Sequence, residues 1–260
     1  MKDLRDLLVF TDLDGTLLDH ETYSWAEAAP ALDVLRKGGA GLILASSKTA
    51  AEMAPLRAEL GFSDWPAIVE NGSGLLTSEA DDKPYRRLRD AIGGLPQGFR
   101  GFGDMDAGEV SDRTGLSPEA AVRAKARQFS EPGLWTGAPD ALAEFLKAAE
   151  SAGLTAQQGG RFLTLSFGGN KADRVKELIQ RYNRSHSIAL GDAPNDAAML
   201  EVADIGVIVS NPGANTMPHL PGEDTGRIRR TKRPGPAGWS DAVLEIVEEL
   251  EDKKDKRAHG

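Results

Sequence analysis

Asp12 and Asp14 stand one residue apart in Asp12-Leu13-Asp14-Gly15-Thr16, directly after the apolar run Leu7-Leu8-Val9-Phe10. Two carboxylates this close repel each other unless a cation or a shared proton neutralises them, so the pair calls for a bound metal or a strongly raised pKa. Gly15 lets the chain turn sharply and exposes backbone N–H groups to an anion. An apolar run without polar alternation suits a parallel strand buried on both faces, and in open α/β sheets ligands collect at the carboxyl ends of such strands. The competing reading of the string is an acidic loop that caps a helix.

Three more polar clusters follow apolar runs. Ser46-Ser47-Lys48 comes after Gly41–Ala45, Glu70-Asn71 after Ala67-Ile68-Val69, and Gly191-Asp192-Ala193-Pro194-Asn195-Asp196 after Ser187–Leu190. If these strands are parallel neighbours of the first, all four clusters meet at one edge of a sheet. Asp192 then joins Asp12 and Asp14 in an oxygen-rich site suited to Mg²⁺, which binds few carboxylates and keeps several waters. With the ion between carboxylate and phosphate, Asp12 could attack phosphorus while Asp14 is left for proton transfer. The Ser46 hydroxyl and backbone, with the ammonium of Lys171 at a helix start, would hold the phosphoryl oxygens.

The elements that must position these groups alternate in the manner of βαβ units. A helix is expected over 24–36, stopped by Gly38-Gly39. Ser24 and Glu27 have capping-box spacing, yet Pro30 would then sit inside the helix, so its regular part can begin near Pro30. A helix to Leu60, kinked at Pro55, precedes the strand 67–69. The stretch 78–89 is charged and turn-rich and is read as the exit from this layer. An α+β insert follows, with strands at 99–105 and 161–167 and helices at 117–129 and 139–152; Ser117-Pro118-Glu119 is a strong helix start. The first pattern resumes with a helix over 171–182, a strand over 187–190, a helix over 195–202 and a strand over 205–209. Residues 211–238 read as a long Gly/Pro-rich loop, the last helix as 241–250 and the tail 251–260 as frayed. The fold class is therefore α/β: a doubly wound parallel-sheet, Rossmann-like core over 1–82 and 168–260, with an inserted α+β cap domain over 83–167.

These residues, in this order on these strand ends, resemble the haloacid dehalogenase superfamily of phosphohydrolases. Its first motif is complete, its second-motif hydroxyl maps to Ser46, its lysine to Lys171 and its acidic fourth motif to Asp192 and Asp196. The resemblance implies that Asp12 forms an aspartyl-phosphate and that Asp14 is the general acid and base. It also implies Mg²⁺ bound by the Asp12 side chain, the Asp14 main-chain carbonyl and Asp192, with Asp196 in support. About thirty residues separate Asp14 from Ser46, too few for a lid, whereas the insert before Lys171 is large. That looks like the subclass with a mixed α/β cap, which acts mostly on sugar phosphates and similar metabolites. Within it, Ser46-Ser47-Lys48-Thr49, Glu70-Asn71-Gly72, Arg127–Pro132, Gly159–Phe162 and Gly235–Trp239 are similar to mannosyl-3-phosphoglycerate phosphatases, which release the compatible solute mannosylglycerate. One departure stands out: the subclass reads acidic-Lys-Gly where this chain has Asn170-Lys171-Ala172.

A sugar-acid phosphate carries a carboxylate besides its phosphate, which favours Arg or Lys in its site. Arg161 and Lys48 are the candidates, against the plainer readings of a solvated strand residue and a surface helix charge. Asn71 and Asn195 join Ser46, Ser47 and Lys171 as expected substrate contacts, although Asn195 and Asp196 could instead serve as cap and first-turn acid of their helix. The basic run Arg227, Arg229, Arg230, Lys232 and Arg233 reads first as a solvated stripe, His20 and His186 as structural. A net charge of -9 argues against a nucleic-acid partner, and the absence of cysteine excludes a disulfide framework, a thiolate nucleophile and a Cys-based zinc site. No apolar stretch approaches the roughly 18 residues of a membrane span. The mixed-charge start, which runs straight into the first strand, leaves no room for a signal peptide, so the expected location is cytoplasmic. The alternatives are a phosphatase for a related sugar or glyceric-acid phosphate, such as the glucosyl analogue, and a non-enzymatic phosphoacceptor module; oligomeric state is left open.

Overall fold

The computed structural model describes residues 2–77, 83–213 and 215–258. In chain order the elements begin with β1 (Leu7–Thr11), α1 (Ala29–Gly38), β2 (Gly41–Leu44), α2 (Ala50–Glu59), β3 (Ala67–Val69) and β4 (Gly74–Leu76). They continue with α3 (Lys83–Gly93), β5 (Phe99–Gly101), α4 (Ala107–Thr114), α5 (Pro118–Lys125), β6 (Ser130–Trp135), α6 (Ala141–Ser151), β7 (Thr155–Gly159) and β8 (Phe162–Ser166). The last are α7 (Lys171–Tyr182), β9 (His186–Gly191), α8 (Ala197–Val202), β10 (Ile205–Ser210), α9 (Pro221–Asp224), β11 (Ile228–Pro234) and α10 (Gly235–Ala258). They form two compact units: Met1–Ala45, Arg57–Pro66 and Lys171–Gly260 in the first, Ser46–Leu56 and Ala67–Asn170 in the second.

The first unit is built on a sheet of order β11-β10-β9-β1-β2, every pair parallel. All five residues of β1 and all four of β2 are buried, as expected of strands covered on both faces. From β1 the chain builds outward to β2 on one side, and β9, β10 and β11 extend the other. The β1/β9 boundary is therefore the place where strand order reverses, and crevices for ligands open there. Pro30 lies in the first turn of α1, where its missing N–H costs nothing, and a short 3₁₀ turn over Ala26–Ala28 leads in. The Ser24/Glu27 capping box does not form; Ser24 Oγ accepts the Ala26 N–H instead. Pro55 lies inside α2 without ending it.

Three expectations for this unit need correction. The loop read over 211–238 contains α9, the parallel edge strand β11 and the start of α10. The basic run enters that edge strand, with Arg230, Lys232 and Arg233 exposed as a solvated stripe would be, and is paired: Arg227 with Glu201, Arg229 with Glu249, Arg230 with Glu223, and Arg233 with Glu27 and Asp241. Charged side chains on an edge strand also discourage pairing with another chain. The tail expected to fray is helical to Ala258, and residues 259–260 lie outside the described residues. Among the described residues, no helix is long and apolar enough to cross a membrane.

The second unit carries a four-stranded antiparallel sheet, β5-β6-β8-β7. Neighbouring residues feed two apolar clusters, as strand alternation dictates. Leu163 and Trp135 pack with Leu88, Phe145 and Ala149 of α3 and α6, while Phe162 and Leu134 pack with Phe102, Val110 and Ala121. Of the stretch 78–89 read as an exit, residues 78–82 lie outside the described residues, and Lys83 onward is the helix α3. The segments 46–56 and 67–77 belong to this unit, so the division does not follow the expected core of 1–82. The cause is visible in hydrogen bonds: Thr49 Oγ1 donates to Arg123 O at 2.8 Å, and the Glu70 carboxylate accepts N–H groups of residues 128–130. β3 is correspondingly not a neighbour of β1 or β2 but pairs antiparallel with β4.

Candidate active site

Asp12 follows the last residue of β1, and Asp192 follows the last residue of β9, its parallel neighbour. The sheet therefore brings together carboxylates that are far apart in sequence. Backbone bonds fix the strand ends: Asp12 N–H donates to Leu190 O at 2.9 Å, and Ala45 N–H to Thr11 O at 2.8 Å. Asp196, fully buried in the 3₁₀ turn Pro194–Asp196, completes a cluster. One carboxylate oxygen from each of Asp12, Asp192 and Asp196 lies within 4.8 Å of the others.

Lys171 answers part of this charge. It is the first residue of α7, is 4% exposed, and its Nζ lies 2.5 Å from Asp12 Oδ1 and 2.7 Å from Asp196 Oδ1. The departure at Ala172 does not displace it: Ala172, Val175 and Leu178 form the buried face of α7 and set the lysine at the helix start. Three carboxylates against one ammonium leave the cluster net negative. Burial pushes Asp12 up to about 7, with Lys171 pulling down and the charges of Asp196 and Asp192 adding to the rise. Burial likewise raises Asp192, while its two carboxylates hold Lys171 firmly protonated above the ordinary lysine value.

The oxygens are sorted by their donors. Asp192 Oδ1 accepts the Thr16 hydroxyl at 2.9 Å, and its Oδ2 accepts Asn211 Nδ2 at 2.7 Å. Asp196 Oδ2 takes the N–H groups of Asp192 and Ala193, both at 3.3 Å, and its Oδ1 takes Lys171. Asp196 is thus committed to holding its neighbours. Gly15 has φ +81°, and a Cβ there would lie 2.0 Å from Asn211 Nδ2 and 3.0 Å from Asp192 Oδ2. The turn needs glycine for both reasons. Its N–H, however, donates to Leu18 O at 2.9 Å and is used inside the turn rather than offered to an anion. Asp14 is half-buried and bridges to Leu18; among the described residues its side chain is not part of the acidic cluster. Asn195 is exposed.

A buried, net negative group of oxygens without sulfur or imidazole fits a hard divalent cation such as Mg²⁺. Asp12 and Asp192 are the side chains that would hold it, with Lys171 and Asp196 fixing Asp12 and the Asp192 loop.

The remaining expected site residues lie in the second unit. Ser46 is 2% exposed; its Oγ accepts the Lys48 N–H at 3.3 Å, and its own N–H donates to Ile68 O at 3.0 Å. That backbone donor is spent in the fold, which leaves the hydroxyl as the group available to a ligand. Ser47 is exposed, Lys48 half-buried, and Asn71 has φ +57° with its N–H on Ser46 O at 2.9 Å. Arg161 is exposed in the turn between β7 and β8, its guanidinium carbon 5.5 Å from the centre of the Phe162 ring. Thr16, Asn211 and Trp239 were not singled out as site residues by sequence. The indole N–H of Trp239 donates to Thr11 Oγ1 at 2.9 Å, and Thr11 Oγ1 donates to Asp12 O at 2.7 Å. Only the Gly-Pro-Ala-Gly-Trp string hinted at this contact.

A doubly wound fold with buried acids and a lysine at its switch point places the chain among α/β proteins whose site could hold a cation. Residues 9–88 and 139–218, more than half of the chain, match the family described as haloacid dehalogenase-like hydrolase. The chain belongs to this family, and Asp12, Asp14, Ser46, Lys171, Asp192 and Asp196 all fall inside the matched segments. Among solved structures, the sucrose-phosphatase of Synechocystis sp. PCC6803, solved with sucrose and phosphate, is 18% identical with a TM-score of 0.59, covering 94% of this chain and 98% of that one. TM0651 of Thermotoga maritima is 16% identical with a TM-score of 0.62, covering 94% and 97%. The subclass IIB sugar phosphatase BT4131 is 18% identical with a TM-score of 0.56, covering 92% and 98%. At these identities the likeness is one of fold.

Proposed function

We propose that this protein is a Mg²⁺-dependent phosphomonoester hydrolase whose substrate is mannosyl-3-phosphoglycerate. The observation that carries the phosphoryl chemistry is the buried Asp12–Lys171–Asp196 arrangement beside Asp192. In the proposed reaction a carboxylate oxygen of Asp12 bonds to phosphorus as the bond from phosphorus to the leaving oxygen breaks, and Asp14 gives that oxygen a proton. Water then attacks the aspartyl-phosphate, Asp14 takes its proton, and the P–O bond to Asp12 breaks, releasing inorganic phosphate and restoring both acids. Mg²⁺, when bound, neutralises the repulsion between the anionic nucleophile and its anionic substrate. Lys171 keeps the attacking carboxylate oriented, and Thr16 and Asn211 hold Asp192 in one rotamer. Ser46, Ser47, Asn71 and Asn195 are assigned to the substrate, and Lys48 and Arg161 to its carboxylate, by the resemblance and by charge.

The sugar-acid substrate rests on the similarity of segments such as Ser46–Thr49 and Gly235–Trp239 to mannosyl-3-phosphoglycerate phosphatases. The solved sugar phosphatases of the same fold support a small phosphorylated sugar as the substrate class. The test is phosphate release with Mg²⁺ from mannosyl-3-phosphoglycerate, its glucosyl analogue, 3-phosphoglycerate and mannose 6-phosphate at equal low concentration. We expect a kcat/KM preference of about 10²-fold for the mannosyl compound, roughly 2.7 kcal/mol of differential transition-state binding. Preference for a simple sugar phosphate would keep the chemistry and overturn the substrate.

A further inference from the structure

The second unit holds a carboxylate to which the proposed reaction gives no role. Glu70 is 2% exposed and directly follows β3, opening a stretch in which Glu70 (φ +52°), Asn71 (+57°) and Gly72 (+93°) are all left-handed. Two consecutive non-glycine residues in that region are costly and persist only where the surroundings enforce them. Here the surroundings do so. Glu70 Oε1 accepts the N–H of Gln128 at 2.8 Å. Its Oε2 accepts the N–H groups of Phe129 at 3.1 Å and Ser130 at 2.7 Å and the Ser130 hydroxyl at 2.7 Å, with Arg127 Nε at 3.3 Å. A Cβ on Gly74 would lie 2.1 Å from the Phe129 ring, so the same segment also packs flat on the hairpin.

The backbone of this turn is bonded to the loop after β2. Glu70 N–H donates to Lys48 O at 3.0 Å and Asn71 N–H to Ser46 O at 2.9 Å, while Arg127 Nη1 donates to Ser47 O at 3.3 Å. The carbonyls of three consecutive residues, Ser46, Ser47 and Lys48, are thus each taken up by groups that Glu70 carries or anchors. Thr49 extends the tie through its hydroxyl to Arg123 O. With the carbonyls used for anchorage, the loop meets an anion through its hydrogen-bond donors. The loop is then held in place before a ligand arrives.

We propose that Glu70 is a positioning residue: its carboxylate locks segment 127–130 to the left-handed turn 70–72, and both together fix the Ser46–Lys48 loop for binding a phosphoryl group. The proposal rests on the phosphatase reading above for the loop's purpose. The charge-free isostere is the informative change, because a glutamine turns one acceptor into an N–H donor facing donors only. The experiment uses the full chain with Glu70→Gln, and with Arg127→Met as a second variant should the first fail to fold. Hydrogen exchange is followed in peptides covering 46–49 and 127–130, and kcat and KM are measured with p-nitrophenyl phosphate and Mg²⁺.

Positioning predicts faster exchange in 46–49 and 127–130, unchanged protection in β1 and β9, and a kcat/KM lowered between about 10- and 100-fold, the scale of a misplaced binding group. Glu70→Asp, which keeps the charge, should recover part of the loss. Uniformly faster exchange, or unchanged exchange at 46–49 in both variants, would overturn the proposal, as would a kcat/KM per folded molecule equal to wild type. A wild-type chain inactive on every phosphomonoester would overturn the phosphatase reading instead, and the exchange pattern would still decide whether Glu70 fixes the loop.

Discussion

In the proposed reaction Asp12 faces two demands, to be ionised for attack and to be buried beside other acids, and Lys171 at 2.5 Å is what reconciles them. The proposed reaction gives different consequences for the two acids of the first motif. Asp12→Asn removes the proposed nucleophile while keeping the side-chain shape, so turnover should vanish, and with it any covalently bound phosphate in an acid-quenched reaction. A near-wild-type rate would remove Asp12 from that role. Asp14→Asn should retain attack but lose about 10² to 10⁴ in rate, the usual share of a positioned acid-base. Asp12, Lys171, Asp192 and Asp196 were legible in sequence because each sits at the end or start of an element whose apolar pattern is unambiguous. Thr16 and Asn211 were not, since their partner Asp192 lies 176 and 19 residues away and no local pattern records that approach.

At the scale of elements, α10 is tied to the end of β1 through the hydrogen bond from Trp239 to Thr11, which in turn donates to the Asp12 carbonyl. Thr11→Val keeps the shape of a fully buried residue but leaves the indole N–H and the carbonyl without that partner. The expected cost is about 1–3 kcal/mol of stability, read as a lower denaturation midpoint in urea; an unchanged midpoint would mean the link carries no energy. The helices and buried strands of the first unit were readable because apolar periodicity and stop residues agree, as in α7, whose ends match the expectation. β11 was hidden because five basic residues over Arg227–Arg233 look solvated, although Arg227 and Arg229 are half-buried in ion pairs. β6 was hidden for a related reason. Its Ser-Glu-Pro-Gly start spells a turn, yet Glu131 is fully buried, accepting Tyr85 Oη at 2.5 Å and Gly103 N–H at 2.7 Å. β3 was read correctly as a strand, but three residues cannot tell a sheet partner.

For the whole molecule, a metal held as proposed by the acidic cluster would make stability depend jointly on pH and on divalent cation. Asp12, ordinarily near 3.8, is pushed up to about 7 by burial, and Asp192 also moves up. Between those values the native state keeps a proton that the unfolded chain has released, so without metal the contribution of Asp12 to stability should fall as pH rises from about 4 to about 7. A cation that binds only the folded state displaces that proton and adds stability by mass action, about 2.7 kcal/mol at a hundred times its dissociation constant. Melting curves in EDTA should therefore show Tm declining across this range more steeply for wild type than for Asp12→Asn, which has lost the Asp12 proton and keeps only that of Asp192. Added Mg²⁺ should raise Tm most at the upper end of the range and least near pH 4, where protons compete for the same oxygens. Equal Mg²⁺ stabilisation at both ends, or the same pH slope in the two proteins, would mean that the cluster is not where cation and proton compete.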